Sequence, residues 1–195
     1  TRPVTVLVTT LRQADSVYPM ADITDIYFDF RLFIREKDSR MMAEAVGKCK
    51  AAQKNPVLAL PHILRGKDSQ KGRQLMENWL AAGADTFLVR SLEQLGLLKE
   101  LSRSAVIRVI TDANLYTWNT RAEQFLLKTT GTQKNLRIIR TTMPLELTAQ
   151  ELAQTKNAVL PRELIVYTHL PLMVSEQCVK KTLGKCDGAN GRMTM

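Results

Sequence analysis

The sequence predicts an α/β protein: a parallel (β/α) barrel of the TIM type, distorted or incomplete, with seven strands. Apolar strand-like runs recur about every 25–30 residues along the chain, helical patterns fill the intervals, and this alternation never changes character. Seven such units favour a barrel over an open sheet. The 195 residues fall short of the roughly 200 or more that a full eight-stranded barrel takes.

The expected strands are Val4–Thr10, Asp25–Phe30, Pro56–Pro61, Asp85–Ser91, Ala105–Thr111, Leu136–Thr142 and Glu163–Met173. Ser39–Gln53 reads as a helix with a serine N-cap and apolar positions at helical spacing. In Asp68–Asp85, Leu75, Met76, Trp79 and Leu80 mark one helix face and Gly83 supplies the stop. Ser91–Ser102 opens with a Ser-x-x-Gln capping box. Asn119–Gly131 runs from an asparagine cap to a closing glycine, and Thr148–Lys156 starts on a threonine with Glu151 three residues on. No linker or low-complexity stretch divides the chain, so residues 1–195 read as one barrel domain with a cysteine-bearing terminal segment at 174–195.

A 45% hydrophobic, 24% charged composition is globular. No apolar run reaches the roughly 18–20 residues of a membrane span, so no membrane partner is expected. Three cysteines do not make a disulfide framework. A reduced, cytoplasmic protein is expected, and the opening Thr-Arg-Pro suggests a segment of a longer polypeptide whose other domains are its partners. Residues 31–73 hold +7 of the formal net charge of +9. Such a stretch can follow a phosphate backbone through Arg31, Arg35, Lys48, Lys50, Arg65, Lys67 and Lys71, or simply be a solvated pair of helices. With little aromatic interleaving in that stretch, a stacking platform is not expected there.

In a barrel, chemistry gathers where strands end and loops begin. That rule selects Thr9, Thr10, Asp29, Arg31, His62, Arg65, Arg90, Asp112, Asn114, Arg140, Glu146, His169 and Glu176. Among them His62, Arg90, Asn114, Glu146 and His169 are the catalytic candidates. There is no Gly-x-Gly-x-x-Gly, P-loop, His-Glu-x-x-His or Gly-x-Ser-x-Gly. Cys49, flanked by Lys48 and Lys50, reads as a packed thiol rather than a nucleophile. A nucleophilic Cys178 would need a base nearby, and His169 lies nine residues upstream.

Glu163–Cys186, ELIVYTHLPLMVSEQC continuing to a second cysteine after seven intervening residues, resembles the hallmark segment of the collagenase-like peptidase family, number thirty-two among peptidases of unknown catalytic type. Asp22–Phe30 (DITDIYFDF) is similar to that family's early strand, and Gly83–Leu101 (GADTFLVRSLEQLGLLKEL) to its fourth strand and following helix. Asp112–Leu126 (DANLYTWNTRAEQFL) resembles its asparagine-bearing segment, and Thr141–Leu152 (TTMPLELTAQEL) its Pro-Glu-Leu turn. Two places depart from the pattern. VTTLRQ replaces a Pro-Ala-Gly turn, and Tyr167-Thr168-His169 stands where Tyr-Gly-Arg is usual.

The resemblance implies a role for the cysteine pair. Several relatives hold an iron–sulfur cluster on four cysteines and serve hydroxylation of transfer RNA, ribosomal RNA or a quinone precursor, and Cys178 and Cys186 map onto the first two ligand positions. Thiolates are the ligands such clusters require. Two ligands of four are a partial set, so the cluster is expected in the full-length protein and not in this segment. RNA is then the expected partner. The alternatives are a metal- or thiol-dependent peptidase, as the family's label says, and a barrel that binds or scaffolds without catalysis.

Overall fold

The computed structural model describes residues 3–34, 39–64, 67–131, 133–154, 159–169, 174 and 182–184. Seven strands, β1 (Val4–Val8), β2 (Ile23–Asp29), β3 (Asn55–Ala59), β4 (Thr86–Val89), β5 (Ile107–Thr111), β6 (Leu136–Thr142) and β7 (Arg162–Glu163), form one sheet in chain order. Every neighbouring pair is parallel. Among the described residues six α-helices alternate with them: α1 (Leu11–Val17), α2 (Ser39–Ala51), α3 (Lys67–Ala81), α4 (Leu92–Leu101), α5 (Thr120–Thr130) and α6 (Ala149–Gln154). No described helix is long and apolar enough to cross a membrane.

The sheet curls into an incomplete barrel, as expected. Side chains far apart in sheet order meet across its concave face. Arg140 of β6 donates to Asp25 Oδ2 (2.9 Å) and to the Tyr27 hydroxyl (3.1 Å), both on β2. The Tyr27 hydroxyl in turn donates to Glu163 of β7 (2.8 Å). A flat sheet with strands about 4.8 Å apart would hold β2 and β6 nearly 20 Å from each other.

Alternation along the strands sorts the two faces. Ile26 and Phe28 of β2, Leu58 of β3, Phe87 and Val89 of β4 and Val109 of β5 point outward and pack with Val46, Met76, Trp79, Leu98 and Leu126 from the helices. Phe28, Phe33 and Trp79 form an aromatic knot with ring centroids 5.9–6.2 Å apart, within the range for tilted aromatic pairs. The concave face has a small apolar set, Tyr27, Val57, Ala59, Leu88 and Ile110, with Ile139 against it.

Several boundaries differ from the sequence reading. α1 was not expected, yet Thr10 and Gln13 build a reciprocal capping box for it. α3 ends at Ala81 with Gly83 as its stop, as read: Gly83 takes a left-handed conformation (φ 87°), and the bonds Gly83 N to Leu80 O and Ala84 N to Trp79 O close a Schellman motif. The Ser91 box is half formed: Ser91 accepts from Gln94 N, but the Gln94 side chain goes elsewhere. At Thr148 the box is reciprocal with Glu151. The expected strand Glu163–Met173 is cut to Arg162–Glu163. Residues 164–169 are irregular and exposed, since no described strand pairs with β7 on its far side, and 170–173 lie outside the described residues.

Candidate functional site at the barrel mouth

The carboxyl ends of β2 to β5 converge on one polar cluster. Asp29, the last residue of β2, is buried and grips Arg31 by three bonds: from Arg31 N (2.9 Å), Nε (2.8 Å) and Nη2 (3.0 Å). The carboxylate holds the Arg31 guanidinium above its ordinary pKa by direct hydrogen bonding, against a smaller opposing effect of burial. Arg90, just past β4, donates from Nε to Asp112 Oδ2 (3.1 Å) and from Nη1 to Leu60 O (2.7 Å). Both members of that pair are largely buried, their side chains 8% and 12% exposed.

Gln94 fixes the relative height of two strand ends. Its Oε1 accepts from Arg90 N (2.8 Å) and its Nε2 donates to Pro61 O (2.5 Å), so β3 and β4 are stapled where His62 and Arg90 emerge. Gln94 itself is fully buried. The sequence reading placed it in a helix cap. The signal for its other role is an amide side chain on the first turn after a barrel strand, within reach of a neighbouring loop carbonyl.

Asn114 sits on the short turn after β5 and joins the groups. Its Nδ2 donates to Asp112 Oδ1 (2.8 Å) and lies 3.3 Å from His62 Nδ1. Because the carboxylate can only accept, the bond to Asp112 fixes which end of the Asn114 amide is the NH2. Its second hydrogen is then available to His62 Nδ1, which is assigned as the acceptor. His62 is thereby held as the neutral tautomer with its proton on Nε2. Burial is the main influence lowering the His62 pKa below 6.5, helped by the Arg90 charge and opposed by Asp112 and Asp29. A half-buried neutral imidazole, oriented by an asparagine that is itself oriented by an aspartate, can donate one proton and can bind a polar ligand.

Beside Arg90 and Asn114 a cleft of about 520 Å³ opens toward α5, with Leu92, Leu115 and Phe125 among its walls. The other expected site residues sit elsewhere. Thr9 and Thr10 are bound by Gln13 in the cap of α1, and so are structural. Arg140 is not at the mouth. It lies within β6 and points into the concave face, where Glu163 Oε2 is 3.1 Å from its Nε. Burial works against its charge, but Tyr27, Asp25 and Glu163 hold its pKa raised. Burial also raises the Tyr27 pKa, with the Glu163 charge adding to it. Glu146 and His169 are exposed, on the loop after β6 and beyond β7, outside the hydrogen-bonded cluster. Cys178, Cys186, Glu176, Arg35 and Arg65, and the Lys67 side chain, lie outside the described residues.

The basic stretch is partly engaged within the protein. Lys48 pairs with Glu44 (3.0 Å) and approaches Asp15 (3.7 Å), while Lys50 donates to Gly83 O (2.5 Å). Lys71 is exposed on α3. Cys49 is buried on α2, donates to Lys54 O, and has its thiol pushed up to about 12, chiefly by burial. It is therefore an inert packed thiol and does not fit the role of a metal or cluster ligand. Among the described residues no group of three or more His, Cys, Asp or Glu side chains is placed to hold a metal ion.

Among solved structures, the chain is similar to a xylose isomerase domain protein from Alicyclobacillus acidocaldarius subsp. acidocaldarius, at 10% identity and a TM-score of 0.41. The likeness covers 71% of this chain and 62% of that one, so the chain matches less than two thirds of its length. No curated protein matches. The family model for Peptidase family U32 matches residues 5–192, nearly the whole chain, and the chain belongs to that family.

Proposed function

We propose that this chain is the barrel of a protein that hydroxylates RNA in the cytoplasm, with the target nucleotide at the mouth formed by Asp29, Arg31, His62, Arg90, Asp112 and Asn114. The observation that carries the reading is the chain of contacts from Asp112 through Asn114 to His62 Nδ1, which assigns the neutral Nε2–H tautomer to His62. A half-buried neutral imidazole whose Nδ1 is engaged by Asn114 leaves its Nε2–H to donate, which suits binding of a neutral heteroatom such as those on a base edge. The net charge of +9 supplies long-range attraction to a polyanion.

Cys178 and Cys186 belong to this proposal as two thiolate ligands of an iron–sulfur cluster in the full-length protein, where such a cluster supplies one-electron redox chemistry. The described residues contribute no further ligand, because Cys49 does not fit. What this chain's own residues do is hold and orient: Arg90 and Gln94 set the height of two loops, Asp112 orients Asn114, and Asn114 sets the His62 proton.

The peptidase reading is less supported. Neither described histidine is hydrogen-bonded to a serine or cysteine side chain, and Cys49, with its raised pKa, is a poor nucleophile. Binding of a single-stranded RNA, followed over a salt series, tests the proposal. Affinity should fall steeply and log-linearly as salt rises. Undetectable binding at low salt removes the RNA reading, and cleavage of gelatin by the purified protein would put the peptidase in its place.

A further inference from the structure

Three large aromatic side chains stand in solvent beside the mouth: Tyr116 (55% exposed), Trp118 (41%) and Phe125 (60%). Aromatic residues carry a large apolar surface and normally bury it. Tyr116 and Trp118 face each other loosely, with centroids 6.5 Å apart and planes 31° from parallel. Phe125 lines the cleft that also touches Arg90 and Asn114. The turn carrying the first two rings follows directly from Asn114, the residue that orients His62.

The backbone of that turn supplies an independent observation. Tyr116 has φ 50° and ψ 50°, the left-handed region, where a bulky side chain is a rare outlier. Two bonds hold it there, Tyr116 N to Ala113 O (3.0 Å) and Trp118 N to Tyr116 O (2.8 Å). Thr117, between the rings, is buried and bonded to Thr141 (2.6 Å), which anchors the turn to β6. A strained, anchored turn that points two apolar rings at water is a conformation maintained for something outside the fold.

We infer that Tyr116 and Trp118 form a stacking platform for an unpaired base of single-stranded RNA, bound next to the base at the mouth. This rests on the RNA reading above and specifies the kind of strand it acts on. Single-stranded RNA is recognised through bases laid on aromatic faces, whereas a duplex keeps its faces hidden. Charge nearby in the chain agrees: Arg121, exposed in the first turn of α5, lies three residues past Trp118 and adds a cation that a nucleotide phosphate would favour.

The chain has two tryptophans, which makes the test direct. Trp79 is fully buried, so quenching by a stacked base reports on Trp118. A short oligouridine should quench the emission and bind the protein, while an abasic oligomer of equal length should bind about ten- to a hundredfold more weakly and not quench. Trp118→Ala should weaken the oligouridine by a similar factor, and Trp118→Phe should restore most of the affinity. Tyr116→Gly should also weaken binding, and because glycine accepts the left-handed turn, its thermal midpoint should hold or rise. Oligouridine binding without quenching, or with unchanged affinity in both variants, overturns the platform while leaving the RNA reading standing. No oligouridine binding by the parent protein at low salt overturns both.

Discussion

Two polar clusters in this protein look alike on paper and differ in what they leave open. The one on the concave face joins Asp25, Tyr27, Arg140, Thr142 and Glu163, and its members are turned on one another: Arg140 meets both carboxylates and Thr142 donates to Glu163 (2.6 Å). The one at the mouth has the same kinds of residue, but its chain of bonds ends on His62 and Asn114, and Asn114 is exposed. A closed network holds strands together. An open one, with each member positioned by the next and the last facing solvent, is what a binding or reacting group requires. Exposure of the terminal member, not the number of charges, separates the cluster proposed to bind from the one that is closed on itself.

The largest effect expected from breaking this comparison is at Arg140. Arg140→Met leaves two largely buried carboxylates without their counter-charge and should cost about 3–5 kcal/mol of unfolding free energy, read from urea denaturation. Next comes Gln94→Leu, which leaves Pro61 O and Arg90 N without their side-chain partner. It should cost about 1–3 kcal/mol and also weaken ligand binding at the mouth, since it loosens both loops. Thr148→Ala removes the cap of α6, a side chain that bonds to Glu151 and to neither cluster, and should cost about 1 kcal/mol with no effect on binding.

The smallest effect is with pH. His62 in the folded protein binds its proton less readily than in the unfolded chain, where its pKa is near 6.5. The unfolded state therefore holds more protons in the window below 6.5, and stability falls as pH falls through it. His62→Gln should flatten that part of the stability profile relative to the parent, as paired denaturation series at pH 5 to 7.5 would show.

How much of this was legible beforehand follows from how local each signal is. β6 was read at its observed limits, Leu136–Thr142, because one apolar run and its flanks define it. The mouth residues Asp29, His62, Arg90, Asp112 and Asn114 were selected by strand-end position alone. The concave-face network was not legible, because Tyr27 and Glu163 are 136 positions apart and only the curl of the sheet joins them. Arg140 was misplaced for the same reason: a strand-end rule cannot tell which face an arginine third from the strand's end takes when a register shift intervenes, as it does between Val109 and Ile110 opposite β6. The aromatic rim escaped notice because Tyr116, Trp118 and Phe125 fall outside the basic stretch where stacking was sought. α1 was missed although Thr10-x-x-Gln13 is a capping box, because its helix is only seven residues long.

The most direct test of the central claim is nucleoside mass spectrometry of RNA from cells carrying the full-length protein with Asn114→Ala, alongside a urea midpoint for the same variant. If the mouth is the functional site, the hydroxylated nucleoside disappears while stability stays within about 1 kcal/mol of the parent. Hydroxylation at the parental level in a folded Asn114→Ala protein would contradict the account.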